Sequence, residues 1–224
     1  MCLRNSYNVS DYVNWDSLIN LIRKLYDDRN YRISLLVGCG CFFGLRISDI
    51  LTLCWNDILD KEKLVVVEKK TKKRREILIN PQLKRHIKLC YDGLSCPEKD
   101  EKCFLSQKKC VYSVQRINVI LKEIKEKYNL KVQHFSTHSL RKSFGREIVE
   151  NAGQDAEFAL IKLSELFNHS NTAVTRRYLG LRKEAVSLSL PPSLRAPALS
   201  SSSLWVGMPS HIEDGFSFLN KMEL

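Results

Sequence analysis

With 224 residues the chain is long enough to bury one sizeable core and carry a tail, and too short for several independent domains. Its 36 Lys and Arg against 25 Asp and Glu leave a formal charge of +11, which favours a polyanionic partner such as nucleic acid. No apolar run reaches the about eighteen residues needed to span a bilayer, and Met1 to Ser10 has no apolar signal core, so a cytoplasmic protein without a membrane partner is expected.

The first helix is predicted after Asn14 or Asp16, either of which can cap it, with Trp15, Leu18, Ile19, Ile22 and Leu25 on its apolar face. It ends near the polar run Asp27-Asp28-Arg29-Asn30. Ile33 to Phe43 is apolar almost all round, which predicts a central buried helix closed by Gly44, with Arg46 emerging at the mouth of the core. Ser48 and Asp49 begin the next helix and are expected to cap its backbone and hold Arg46 by hydrogen bonds, while Leu51, Leu53 and Trp55 read as core. Leu64 to Ile79, LVVVEKKTKKRREILI, reads as two short strands around a basic turn; that turn is either a solvated face or a contact to a nucleic-acid groove or phosphate.

Asn80-Pro81 starts a helix running to about Tyr91, because proline is tolerated in a first turn, and a polar loop follows from Asp92 to Lys102. Val114, Ile117, Leu121, Ile124 and Tyr128 mark the face of a further helix. In the stretch 136–180, Leu140, Phe144 and Ile148 repeat every four residues. Ala156, Ala159, Leu160, Leu163 and Leu166 repeat at three and four, so two amphipathic helices are predicted on either side of Asn151-Ala152-Gly153. Residues 187–203, rich in Ser, Leu, Pro and Ala without a helical period, predict a flexible linker, and Ile212 to Leu224 a short terminal helix.

The eight cysteines form no CxxC pair and several sit in apolar segments, so free thiols are expected. His86, Cys90, Cys96, Cys103 and Cys110 lie near one another in sequence, but their spacings match no ordinary zinc ribbon or finger. His86 and His134 therefore read as structural or exposed.

His138 and Arg141 lie three apart just after Ser136-Thr137, an N-cap-type pair, so both project from one side of a first helical turn and can grip one anion. His169 follows the next helix in the turn-forming NHSN, and Tyr178 comes nine residues later in RRYLG. The order HxxR, NHSN, RRYLG resembles the C-terminal half of the catalytic domain of the tyrosine recombinases, the phage integrase family. Gly44-Leu45-Arg46-Ile47-Ser48-Asp49 matches the arginine box that the family carries upstream, and the resemblance covers residues 12–180.

The resemblance implies a mainly α fold with a small antiparallel β-sheet and a catalytic set of Arg46, Lys70, His138, Arg141, His169 and Tyr178. Lys70, before Thr71, is the best match to the family's hairpin lysine, with Lys72 the fallback. It also implies a site-specific recombinase that cuts and rejoins double-stranded DNA through a 3′-phosphotyrosyl bond, without cofactor, metal or ATP, assembled as a homo-tetramer on DNA. Two guanidiniums suit the charge that builds on a phosphoryl oxygen, because each offers paired planar donors and never deprotonates. A type IB topoisomerase shares this chemistry, and a non-catalytic DNA-binding regulator shares the fold. Where many relatives have Leu-Gly before the second histidine, this chain has Phe167-Asn168; asparagine also adopts the left-handed conformation, so the turn is expected to survive. Residues 1–180 are thus expected to form the catalytic domain alone, lacking the family's N-terminal core-binding domain, with 181–224 as a flexible tail.

Overall fold

The computed structural model describes residues 10–181. Asn14 caps α1 (Trp15–Asp27), its side chain accepting the amides of Asp16 and Ser17, and Leu18, Leu21, Ile22 and Leu25 are buried on one face. The next helix, α2 (Tyr31–Phe43), is buried from Ile33 almost to its end, as a sequence apolar on every side requires. It is the axis of the domain, flanked by α1, by α5 (Pro81–Gly93) and by α7 (Thr137–Asn151). Gly44 terminates α2 in the left-handed conformation (φ 58°), and a Cβ at that position would lie 2.3 Å from the Phe144 ring. Both the dihedral and the space demand glycine there.

Two single-turn helices follow, α3 (Ile47–Ile50) and α4 (Trp55–Ile58), then the antiparallel pair β1 (Lys63–Val67) and β2 (Arg74–Leu78), in which Val66 faces Arg75. Asn80 caps α5, with Pro81 in its first turn. After α6 (Val114–Lys127) and α7, a 3₁₀ turn at Gly153–Asp155 leads to α8 (Ala156–Phe167) and the eight-residue α9 (Thr172–Leu179). The fold is therefore mainly α with a small antiparallel sheet. Phe144, Leu160, Leu163, Leu166, Phe167 and Leu179 make a second apolar cluster that seats α9 on α7 and α8.

The loop after α5 is more structured than its polar composition suggests. Cys103 and Phe104 are wholly buried, and isolated bridges join Cys54 to Lys102 and Leu105 to Val111. The cysteines within residues 10–181 are free thiols. His86 is structural, its Nε2 lying 3.0 Å from the Ser34 hydroxyl. No described helix is long and apolar enough to cross a membrane. The expected linker and terminal helix fall outside the described residues.

Candidate active site

The left-handed end of α2 turns the chain so that Leu45 stays in the core while Arg46, extended at φ −68° and ψ 144°, begins α3. Its Nη1 donates to Glu68 Oε2 at 2.7 Å and its Nη2 to the Phe167 carbonyl at 3.2 Å. Arg141 approaches the same phenylalanine from α7. Ser136 caps that helix, accepting the His138 amide, and the first turn carries His138 and Arg141 as the sequence spacing predicts. The Arg141 guanidinium, 6% exposed, donates to the Gly44 carbonyl at 2.7 Å and stacks 4.2 Å from the Phe167 ring centroid. Burial pulls its pKa down to about 10, with the Arg46 charge acting in the same sense and Tyr178 opposing, so it remains a cation at neutral pH.

Asn168 ends α8 in the left-handed conformation, φ 54° and ψ 49°, where asparagine is tolerated. The turn then presents His169, whose Nδ1 lies 3.0 Å from the Thr175 hydroxyl, an anchor that leaves Nε2 for another partner. The Tyr178 ring is boxed by aromatic edges, its centroid 5.3 Å from His169, 5.5 Å from Phe167 and 6.5 Å from His138, with the Lys142 ammonium 5.3 Å away. Its hydroxyl oxygen is buried and has no hydrogen-bond partner among the described residues.

Burial raises the Tyr178 pKa, while the charges of Arg141 and Arg46 draw it back. His138 keeps one side open to solvent, yet desolvation lowers its pKa, and Arg141 and Lys142 lower it further. His169 is shifted the same way, first by desolvation and then by Arg141 and Arg46. Both imidazoles are therefore neutral at pH 7 and able to accept a proton.

Arg46, Arg141, His169 and Tyr178 are thus gathered around Phe167, and His138 joins them at the Tyr178 ring. Lys70 is not in that cluster; it lies exposed in the turn between β1 and β2. The expectation that Asp49 holds Arg46 requires correction. Asp49 Oδ1 instead accepts the Lys69 amide at 2.9 Å, because the hairpin folds over α3. Arg46 is held by Glu68, which is wholly buried and also takes the Thr71 hydroxyl at 2.6 Å and sits 2.7 Å from Arg75 Nε. Desolvation pushes the Glu68 pKa up, but Thr71, Arg75 and Arg46 outweigh it, and the carboxyl is held below its ordinary value.

Sequence reasoning missed Glu68, Arg75 and the platform role of Phe167. A signal for the first two existed in the period-2 alternation of the hairpin: Leu64, Val66 and Glu68 point inward along one strand, as do Arg75, Ile77 and Ile79 along the other.

Residues 15–185 match the phage integrase family, and the chain belongs to that family. It is 33% identical over 168 residues to the probable integrase/recombinase YoeC of Bacillus subtilis (strain 168), covering 74% of this chain and 87% of that protein. It is 29% identical over 167 residues to the tyrosine recombinase XerC of Caldanaerobacter subterraneus subsp. tengcongensis, covering 72% of this chain but 44% of XerC. The crystal structure of XerA recombinase superposes with a TM-score of 0.62 at 18% identity, over 82% of this chain and 63% of that one. XerH recombinase bound to its palindromic difH substrate gives 0.58 at 18% identity, over 80% and 53%. These superpositions establish the fold, and the chain spans less than two thirds of either structure.

Proposed function

We propose that this domain is a DNA strand-transferase that cuts and rejoins double-stranded DNA through a 3′-phosphotyrosyl intermediate. The observation that carries the reading is the convergence of two buried or half-buried guanidiniums, the His169 imidazole and Tyr178 on the Phe167 ring and carbonyl, with the His138 imidazole against the Tyr178 ring. In this scheme the Tyr178 phenol oxygen attacks the scissile phosphorus as the bond to the 5′ oxygen breaks. The phenolic proton passes towards His138, and the leaving 5′ oxygen takes a proton from Lys70, with Lys72 the alternative donor. Arg46 and Arg141 neutralise the non-bridging oxygens, and His169 adds a hydrogen bond to the phosphate. The phosphotyrosyl bond keeps the energy of the broken linkage, so rejoining needs no ATP. The charges and the acid come from side chains, so the scheme needs no metal.

The same reading takes double-stranded DNA as the partner, a homo-tetramer on DNA as the working assembly and the cytoplasm as the location. The XerH structures, with difH substrate before and after cleavage, support the DNA partner by analogy of fold. The test is a nicked suicide duplex carrying a candidate attachment site, incubated with the protein in EDTA. An SDS-stable adduct that Tyr178→Phe lacks is the expected result. DNA binding without an adduct would favour a non-catalytic DNA-binding regulator, and relaxation of supercoiled plasmid by a monomer would favour a type IB topoisomerase.

A further inference from the structure

The hairpin turn that carries Lys70 is clamped on both sides by buried carboxylates. On one side the Lys69 amide donates to Asp49 Oδ1 at 2.9 Å, and on the other the Thr71 hydroxyl donates to Glu68 Oε2 at 2.6 Å. Asp49 and Glu68 are both wholly buried. The Glu68 backbone closes the turn as well, its amide donating to the Lys73 carbonyl at 3.0 Å and its carbonyl accepting the Lys72 amide at 2.9 Å. Lys70 therefore projects its flexible side chain into solvent from a fixed base.

Glu68 also reaches across to the phosphate-binding side of the site. The oxygen that accepts Thr71 accepts Arg46 Nη1 at 2.7 Å, and its other oxygen lies 2.7 Å from Arg75 Nε. Arg75 donates to the Glu165 carbonyl at 3.4 Å in the last turn of α8, and Arg46 donates to the Phe167 carbonyl at the end of that helix. The contacts close a ring: Arg46, Glu68, Arg75, α8 and back to Arg46. A carboxylate facing an arginine could instead be read as a stand-in for phosphate that must leave when DNA arrives. The ring argues against that, because Glu68 leaving would take from the buried Arg75 guanidinium its ion-pair partner at 2.7 Å. Arg46 has five N–H donors and commits two of them, so it can hold Glu68 and a phosphate oxygen together.

We propose that Glu68 is a positioning residue for strand transfer: it fixes, through Thr71, the turn that presents Lys70 and, through the same carboxylate, the guanidinium of Arg46. The inference rests on the strand-transfer reading above, and it assigns to one buried side chain the alignment of the acid with the anion-binding arginine. No bond is made or broken at Glu68.

Two variants and two duplexes test it. Glu68→Gln keeps the shape and removes the charge; Thr71→Val removes the hydroxyl, with its tie to Glu68 and its 3.4 Å contact to the Lys73 amide, and leaves the ion pairs in place. On an ordinary phosphodiester duplex, Glu68→Gln should form adduct about 10²-fold more slowly and Thr71→Val about tenfold more slowly, with DNA affinity unchanged. On a duplex with a 5′-bridging sulfur, whose leaving group needs no proton, Thr71→Val should recover fully. Glu68→Gln should recover only in part, because Arg46 remains loosened. Amide exchange in residues 69–72, measured without DNA, should rise in both variants. Equal slowing on the two duplexes, no slowing at all, or unchanged exchange in the turn would overturn the proposal. If Glu68→Gln melts below the assay temperature, Thr71→Val decides alone. No adduct from the unmodified chain on either duplex would overturn the strand-transfer reading itself, and this one with it.

Discussion

Gly145→Ala should separate stability from catalysis. Gly145 lies in the middle of α7, where a Cβ would stand 2.6 Å from Leu179 Cδ2 and 3.2 Å from two carbons of the Phe167 ring. Carbon pairs settle at about 3.5–4.0 Å, so Leu179 must retreat by roughly 1 Å. Leu179 is wholly buried and adjoins Tyr178 on an eight-residue helix, so α9 moves with it and carries the phenol away from Arg141 and His169. Overpacking costs about 1–3 kcal/mol, and replacing a mid-helix glycine returns about 1 kcal/mol, leaving a net loss of about 0–2 kcal/mol. A displacement of about 1 Å at the reacting atom costs about 10²-fold in rate, equivalent to about 2.7 kcal/mol of activation free energy. The assays are thermal melting, DNA affinity and single-turnover adduct formation on a suicide duplex. A rate equal to wild type in a variant that melts normally would refute the claim that the seat of Leu179 sets the position of Tyr178.

Arg141→Lys keeps a positive charge but loses the planar fork that contacts the Gly44 carbonyl and stacks on Phe167, so cleavage should fall by about 10²–10³-fold while DNA affinity stays near wild type. Asn168→Gly should leave the melting temperature unchanged or raise it, whereas Asn168→Val forces a β-branched residue to φ 54° and should cost about 1–2 kcal/mol, read by chemical denaturation. The folded-state pKa values of His138 and His169 are depressed, so below about pH 6.5 the unfolded chain binds protons that the folded one refuses, and stability declines on acidification through that range. His138→Gln should flatten this limb of a stability-versus-pH curve. Glu68 is also depressed; its contribution is complete above the ordinary carboxylate pKa and is lost as pH falls through the folded value, so Glu68→Gln should remove an acid transition well below that of the histidines.

The helices and the order of the site residues were legible in the sequence because each rests on local rules. Leu140, Phe144 and Ile148 declare their helix by spacing, Ser136 by capping, and Asn168 by its tolerance of a left-handed turn. The partners of Arg46 were not legible. Asp49 stands three residues from it and was the natural candidate, yet the hairpin takes Asp49 for the Lys69 amide and supplies Glu68 in exchange. That swap depends on the turn between β1 and β2 meeting α3, a contact between segments about twenty residues apart that no local pattern encodes. The run of seven basic residues in and beside the hairpin also disguised Arg75 as one more solvated charge, although strand alternation puts it inside. In the sequence, Phe167 reads only as a departure from the family's usual residue before the turn. Its service as a platform for Arg141, His169 and Tyr178 becomes visible once α7, α8 and α9 are packed together. The buried Cys103-Phe104-Leu105 segment is hidden for a similar reason, since three apolar residues directly after a polar loop carry no period.

Mass spectrometry of the trapped complex reads out whether the Tyr178 oxygen becomes bonded to a DNA phosphate. After nuclease and protease digestion, the peptide containing Tyr178 should carry a nucleotide joined through its 3′ phosphate. A nucleotide on any other residue, or persistence of the adduct in Tyr178→Phe, would contradict it.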